Sequence, residues 1–244
     1  MALYYIGLSC LSIIDYKKAE RNSILSAEAR RILSILADSP VDVIATDENG
    51  RPFFHDSNMD FSISHSGAAV AVSLVQTENV HEAKVRTGCD IQLIRPRKNL
   101  RNIAEEVFCT AERDYILSQN ETQFENEVSR SRFFQIWTLK ECYIKLRGLS
   151  VFDMPKVPSF ISCDAEGHYL FAFNMSDSSL SFYLYELAYA GEHYMLATVI
   201  EGGSRICPEI RIFSHPGGNL SSQGPGGLIP EGNFNSPITI YQQK

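Results

Sequence analysis

The sequence predicts an α+β protein built from two halves of mixed strand and helix. Three observations carry this. Short runs with period-two alternation and longer runs with apolar residues at i, i+3 and i+4 occur in both halves. The halves part near residue 95, and no internal sequence repeat relates them. With 44% hydrophobic and 21% charged residues, the 244-residue chain has enough apolar material for one large domain or two small lobes.

The elements follow in order. Tyr4–Ile14 has strand composition. Ser26–Ala37 reads as a helix, with Ser26 as N-cap, Ala29, Ile32, Leu33 and Leu36 as its apolar stripe, and Pro40 beyond its end. Asp47–Pro52 is a turn. Phe61–Ser66 and Ala68–Val75 are two strands that can form a hairpin around Ser66-Gly67. Val85–Ile94 is a strand on which Asp90 and Gln92 share one face, while Cys89, Ile91 and Leu93 share the other. Leu100–Phe108 and Ala111–Ser118 read as helices, the second capped by Thr110. Gln119–Val128 is polar and reads as a loop. Ser131–Leu146 is a helix closed by Gly148. Ser159–Cys163, His168–Phe173, Ser181–Tyr189 and Tyr194–Ile200 are strands, divided by turns at Glu166-Gly167 and Ala190-Gly191. From Pro216 the composition is rich in Gly, Pro, Ser and Asn, too poor in apolar residues to support a core.

Charge and cysteine usage narrow the function classes. A net charge of −7 disfavours nonspecific nucleic-acid binding. Basic residues nevertheless cluster, at Lys17, Lys18, Arg21, Arg30 and Arg31, and again at Arg95, Arg97, Lys98 and Arg101. Such patches suit anionic ligands met at defined places. No apolar run is long enough to span a bilayer, and the apolar N-terminus lacks the basic start of a signal peptide. Six cysteines are scattered without a C-x-x-C pair, which argues against structural zinc and fits a reducing cytoplasm.

One segment bears most directly on chemistry. In Arg132–Gly148, RFFQIWTLKECYIKLRG, a helix places Trp137, Glu141 and Lys145 at successive i, i+4 steps on one face. Taken alone, Glu141 and Lys145 could be an ordinary surface pair worth a few tenths of a kcal/mol. Held beside an aromatic ring, they could instead serve a metal and a phosphate together. Two earlier segments, FSISHSG over 61–67 and TGCDIQL over 87–93, complete a set of three in fixed order.

Phe-x-x-Ser-His-Ser-Gly, then Gly-x-Asp-Ile, then Phe-Phe-x-x-Trp-Thr-x-Lys-Glu-x-x-x-Lys-x-x-Gly resembles the 4′-phosphopantetheinyl transferases, in their long, monomeric, surfactin-synthetase-type subgroup. The resemblance runs from about Arg21 to about Phe152. It implies two pseudo-two-fold-related α+β lobes, 1–95 and 96–210, with the active site between them; composition makes 211–244 a flexible tail. It implies an Mg2+-dependent holo-carrier-protein synthase. Such an enzyme moves the phosphopantetheine arm of coenzyme A to a serine of an acyl, peptidyl or polyketide carrier protein and releases adenosine 3′,5′-bisphosphate. A monomer in the cytoplasm, without nucleic-acid or membrane partners, is expected.

The same resemblance distributes roles. Asp90 and Glu141 would hold Mg2+, and Glu141 could also take the serine proton. Lys145 would neutralise phosphate charge. His65 and Ser64 would meet the 3′-phosphate of coenzyme A, with Arg51 beside the adenine and phosphates and Arg31 contributing from the first helix. Trp137 would pack behind the site. Gln92 departs from the pattern: many members have Glu there, and a neutral amide binds an ion weakly or only through water. This departure supports an alternative, a degenerate relative that binds coenzyme A or a carrier protein without transfer. A serine hydrolase using Ser64 and His65 is disfavoured, because neighbouring strand residues face opposite ways.

Overall fold

The structure is a computed structural model, and it describes residues 2–11, 17–41, 44–55, 58–78, 85–117, 126–171, 179–202 and 208–213. Its first sheet is built from β1 (Leu3–Cys10), β4 (Met59–Ser66), β5 (Ala69–Gln76) and β11 (Glu209–Phe213), in the order β11-β1-β5-β4. Alternation along β4 and the Gly67-Ala68 turn produce the expected hairpin, with Ser66 opposite Ala69. β11 runs parallel to β1, pairing Tyr5 with Glu209 through Ser9 with Phe213. Nothing in its short sequence anticipates this return. A small hairpin of β2 (Ala45–Thr46) and β3 (Pro52–Phe53) surrounds the Asp47–Arg51 turn.

α1 covers one face of this sheet. It spans Lys18–Leu36, not Ser26–Ala37. The backbone N–H of Lys17 donates to Glu20 Oε2 at 3.1 Å, so an acidic N3 residue starts the helix eight residues early, and Ser26 sits mid-helix. The stripe expected for it is buried: Ala29, Ile32, Leu33 and Leu36, extended upstream by Leu25.

The second sheet has the order β6-β10-β9, from β6 (Arg86–Leu93), β9 (Leu180–Tyr189) and β10 (Glu192–Glu201), all antiparallel. β7 (Ile161–Cys163) and β8 (Tyr169–Phe171) form a separate short hairpin. Sheet membership therefore does not follow a division at residue 95: β6 pairs with β10, and residues 209–213 rejoin the first sheet. Within the segment expected to be a tail, 211–213 belong to β11, and 214–244 lie outside the described residues.

The free edges of the two sheets, β4 and β6, meet side by side with a constant offset of 27 residues. No backbone ladder joins them. Side-chain oxygens of β4 take the amide protons of β6 instead: Asp60 from Thr87 at 2.8 Å, Ser64 from Ile91 at 3.2 Å and Ser66 from Leu93 at 2.9 Å. Polar β4 side chains thus satisfy an edge that would otherwise need a strand partner.

α2 (Leu100–Val107) and α3 (Thr110–Ile116) lie where expected, but Cys109 rather than Thr110 caps α3, its N–H donating to Glu112 at 3.1 Å. α4 spans Glu127–Arg147, beginning four residues before Ser131 because Asn126 Oδ1 accepts from the Ser129 amide at 2.7 Å. Val128, placed in a loop by sequence, lies in this helix. Gly148, left-handed at φ 64°, closes it. α4 is buried on most sides and sits hard against β6. A Cβ at Gly88 would collide with the Cys142 carbonyl oxygen and lie 3.0 Å from the Leu146 nitrogen. Lys140 enters the core of this half and pairs with Glu112 at 3.0 Å, both fully buried. Its ammonium also donates to the Val157 carbonyl, and Glu112 accepts from the Phe160 amide, so the pair is well hydrogen-bonded. Trp137 stacks on Phe133 at this core's margin.

Candidate active site

A half-buried stripe of α4 carries Trp137, Glu141 and Lys145 at i, i+4 spacing, as the sequence predicts. Its last two members face a cleft of about 530 Å³, within the range of small-molecule sites. β4 brings Ile63, Ser64 and His65 to the same cleft, and β6 brings Asp90 and Gln92. The seam between the two sheets is therefore its floor. Ser26, Ala29 and Arg30 of α1, with Thr46 and Pro52 of the small hairpin, close the opposite wall.

The centre is a triangle of three side chains from three elements. Lys145 Nζ donates to Asp90 Oδ1 at 2.7 Å and to Ser64 Oγ at 2.8 Å. Ser64 Oγ in turn donates to Asp90 Oδ1 at 2.8 Å. Asp90 is buried, and its other oxygen accepts from Gln92 Nε2 at 2.9 Å. A buried carboxylate is costly without such partners. Burial pulls the Lys145 pKa down, but Asp90, by charge and by hydrogen bond, outweighs it, and the net shift is upward. Lys145 is thus a fixed cation, with 29% of its side chain open to the cleft.

Glu141 stands one turn before Lys145. Its pKa is pushed up to about 7, first by burial and then by the Asp90 charge, against the opposing pull of Lys145. A carboxyl poised near neutrality can accept a proton from a bound hydroxyl. Partial burial, then the Lys145 ammonium, lower the pKa of His65, which stays neutral at pH 7.

The donor set suits a hard divalent cation. Asp90 and Glu141 both line the cleft and repel one another, and a cation held by both would relieve the repulsion that helps raise Glu141. Gln92 in the present arrangement is a donor to Asp90. It must turn its amide over to offer oxygen to an ion. A group of three close metal-type ligands does occur among the described residues, Asp164, Glu166 and His168, but it is the exposed β7–β8 turn, in which Asp164 accepts from the Glu166 and His168 amides.

Two expected nucleotide contacts lie elsewhere. Arg31 forms a two-pronged pair with Glu28, 2.7 Å on each arm, and lies over the Phe213 ring. Its neighbour Arg30 lines the cleft instead. Arg51 points inward, with Nη2 2.6 Å from Asp60 Oδ2 and little of either side chain exposed. Arg30, Ser26 and Thr46 were missed by sequence reasoning. The spacing of Ser26 and Arg30 is the available signal, since residues four apart share a helix face once the helix is known to begin at Lys18.

The chain is similar to known proteins over about half of its length. Residues 86–199, which contain β6, α4 and most of β10, match the family model described as 4′-phosphopantetheinyl transferase superfamily. The chain is 34% identical over 132 residues to the 4′-phosphopantetheinyl transferase AcpT of Salmonella typhimurium, covering 54% of this chain and 62% of that protein. It is also 34% identical over 122 residues to AcpT of Escherichia coli strain K12, covering 50% and 56%. The chain thus matches less than two thirds of the length of these relatives. In its three ordered motifs and in these matched stretches, the chain is similar to the 4′-phosphopantetheinyl transferase superfamily.

Proposed function

We propose that this chain transfers the 4′-phosphopantetheine arm of coenzyme A to a serine of an apo carrier protein, as a monomeric cytoplasmic enzyme of the surfactin-synthetase-type subgroup. The observation that carries the reading is the Lys145–Asp90–Ser64 triangle with Glu141 beside it in one cleft. It joins a fixed cation and two carboxylates, one of which, Glu141, is placed to take a proton, the groups that phosphoryl transfer requires.

Each group then has a task. Arg30 and His65 meet the phosphates of the nucleotide half of coenzyme A from the cleft walls. The carrier serine oxygen attacks the phosphorus that bears the pantetheine arm. Its proton passes to Glu141. The bond from that phosphorus to the bridging oxygen breaks, and adenosine 3′,5′-bisphosphate leaves with the electron pair. Lys145 offsets the charge that builds on the phosphoryl oxygens, and its bonds to Asp90 and Ser64 spare the reaction the cost of positioning it. Asp90 and Glu141 would hold Mg2+, with Gln92 at its edge, and the ion would supply further neutralisation of the pyrophosphate. The division of the fold at the β4–β6 seam supports two lobes with the site between them.

The test is direct. The protein is incubated with Mg2+, coenzyme A and an apo acyl carrier protein, and the carrier is weighed by mass spectrometry. Holo carrier should accumulate with wild type, and folded Asp90→Ala and Glu141→Ala should nearly abolish it. Coenzyme A binding without any holo product would favour the degenerate relative. A folded variant with near wild-type turnover would remove that residue from the site.

A further inference from the structure

Arg51 aligns with a residue expected at the nucleotide, yet its guanidinium is spent inside the protein. Nη2 donates to Asp60 Oδ2 at 2.6 Å and to the Thr87 carbonyl at 3.2 Å, while Nε donates to the Lys145 carbonyl at 3.1 Å. The same Asp60 oxygen accepts from the Thr87 amide at 2.8 Å. Both polar backbone groups of Thr87 are therefore held by one ion pair. The base of the side chain is held as well: the Arg51 amide donates to Asp47 Oδ1 at 2.8 Å, and the aliphatic stem lies beside Gly148, where an added Cβ would stand 3.7 Å from it.

The elements so joined are the three that form the catalytic triangle. Asp60 lies on β4 with Ser64. Thr87 lies on β6 with Asp90. The third partner is the backbone of Lys145 itself on α4. Arg51 also places a cation at the C-terminal turn of α4, where free carbonyls favour one. A planar fork reaching three acceptors in fixed directions is something a lysine cannot reproduce.

We propose that Arg51, held by Asp60, is a positioning residue for Lys145. It locks β4, β6 and the end of α4 together so that the ammonium stays on Asp90 and Ser64. The kinetic half of this inference rests on the transfer reaction proposed above, whereas the structural half does not. Arg51→Lys keeps the charge and loses the fork, and Arg51→Gln loses both.

The experiment measures steady-state transfer for wild type and Arg51→Lys. In parallel it follows reductive methylation of Lys145 against Lys156 by peptide mass spectrometry in wild type and Arg51→Gln. Cooperative melting is required of each variant, and Arg51→Lys serves both arms if Arg51→Gln does not fold. For Arg51→Lys, kcat should fall roughly 10- to 100-fold, as sub-ångström misplacement predicts. Its KM for coenzyme A should stay within about twofold, since the guanidinium is engaged by Asp60, Thr87 and Lys145 inside the protein. Methylation of Lys145 should speed up several-fold while exposed Lys156 is unchanged. A raised KM with unchanged kcat would return Arg51 to the nucleotide and overturn the proposal. Unchanged kcat together with unchanged Lys145 labelling would also overturn it. If wild type transfers nothing yet Lys145 labelling rises in the variant, the positioning role stands and the transfer reaction falls.

Discussion

Replacing Glu141 by Gln should make the metal-free protein more stable at alkaline pH while removing the proposed transfer activity. The Glu141 carboxyl titrates at about 7 in the fold against the usual 4.5, because burial and then the Asp90 charge disfavour its ionised form more than Lys145 favours it. Between those two values the folded chain keeps a proton that the unfolded chain releases. Stability therefore falls as pH rises from 4.5 to about 7 and stays lowered above that. At about 1.4 kcal/mol per pH interval the loss comes to about 3 kcal/mol. Gln has nearly the same shape and no charge, so it carries none of this loss. In a chain of this size the difference corresponds to roughly 6 to 12 °C in Tm. The assay is urea denaturation in EDTA across pH. The variant should exceed wild type by about 3 kcal/mol at pH 8.5, and the gap should close as the pH approaches 4.5. Adding Mg2+ at pH 8.5 should raise wild type and leave the variant nearly unmoved, because the cation offsets a charge that only wild type has. A variant no more stable than wild type at pH 8.5, or a gap that does not depend on pH, would refute the account of Glu141.

Further outcomes follow from other contacts. Gln92→Glu removes the amide donor to Asp90 and adds a third carboxylate, so the Mg2+ concentration for half-maximal rate should fall, and a magnesium titration of initial rate reads it. Glu112→Gln should cost about 3 to 5 kcal/mol by denaturant titration, because it strands the buried Lys140 ammonium; the double variant with Lys140→Met should recover most of the loss. Gly88→Ala should cost about 2 kcal/mol or more and lower kcat, because its methyl meets the α4 backbone two residues from Asp90. His65→Ala should raise KM for coenzyme A with little change in kcat, and because the wild-type ring is neutral at pH 7 the effect should vary little between about pH 7 and 8.

The centre of the site was legible because local rules govern it. Glu141 and Lys145 share a face by helical period, Asp90 and Gln92 share one by strand period, and both relations survive folding unchanged. The β4–β5 hairpin was legible for the same reason: its pairing is between neighbours in sequence. Arg30 and Arg31 show the limit of such rules. One residue is about 100° on a helix, and which of the two meets the cleft depends on how α1 is rotated on the first sheet. Glu28 on the same helix settles it by taking Arg31.

What only tertiary structure decided are the relations between distant segments. The return of Glu209–Phe213 beside β1 has no sequence signal, because a five-residue parallel strand is selected by the open edge it fills. The β4–β6 seam is equally hidden: Asp60, Ser64 and Ser66 read as ordinary polar positions until a second strand edge arrives to donate to them. Arg51 is the clearest case. Its sequence neighbourhood marks a basic residue at a turn, which fits a phosphate contact as well as a buried tie. Asp60, Thr87 and the Lys145 carbonyl together outcompete solvent for its guanidinium, and they converge only when two sheets and a helix have packed. The chemistry that this chain can present is thus written locally in three short motifs, while the rigidity with which it presents that chemistry comes from long-range contacts.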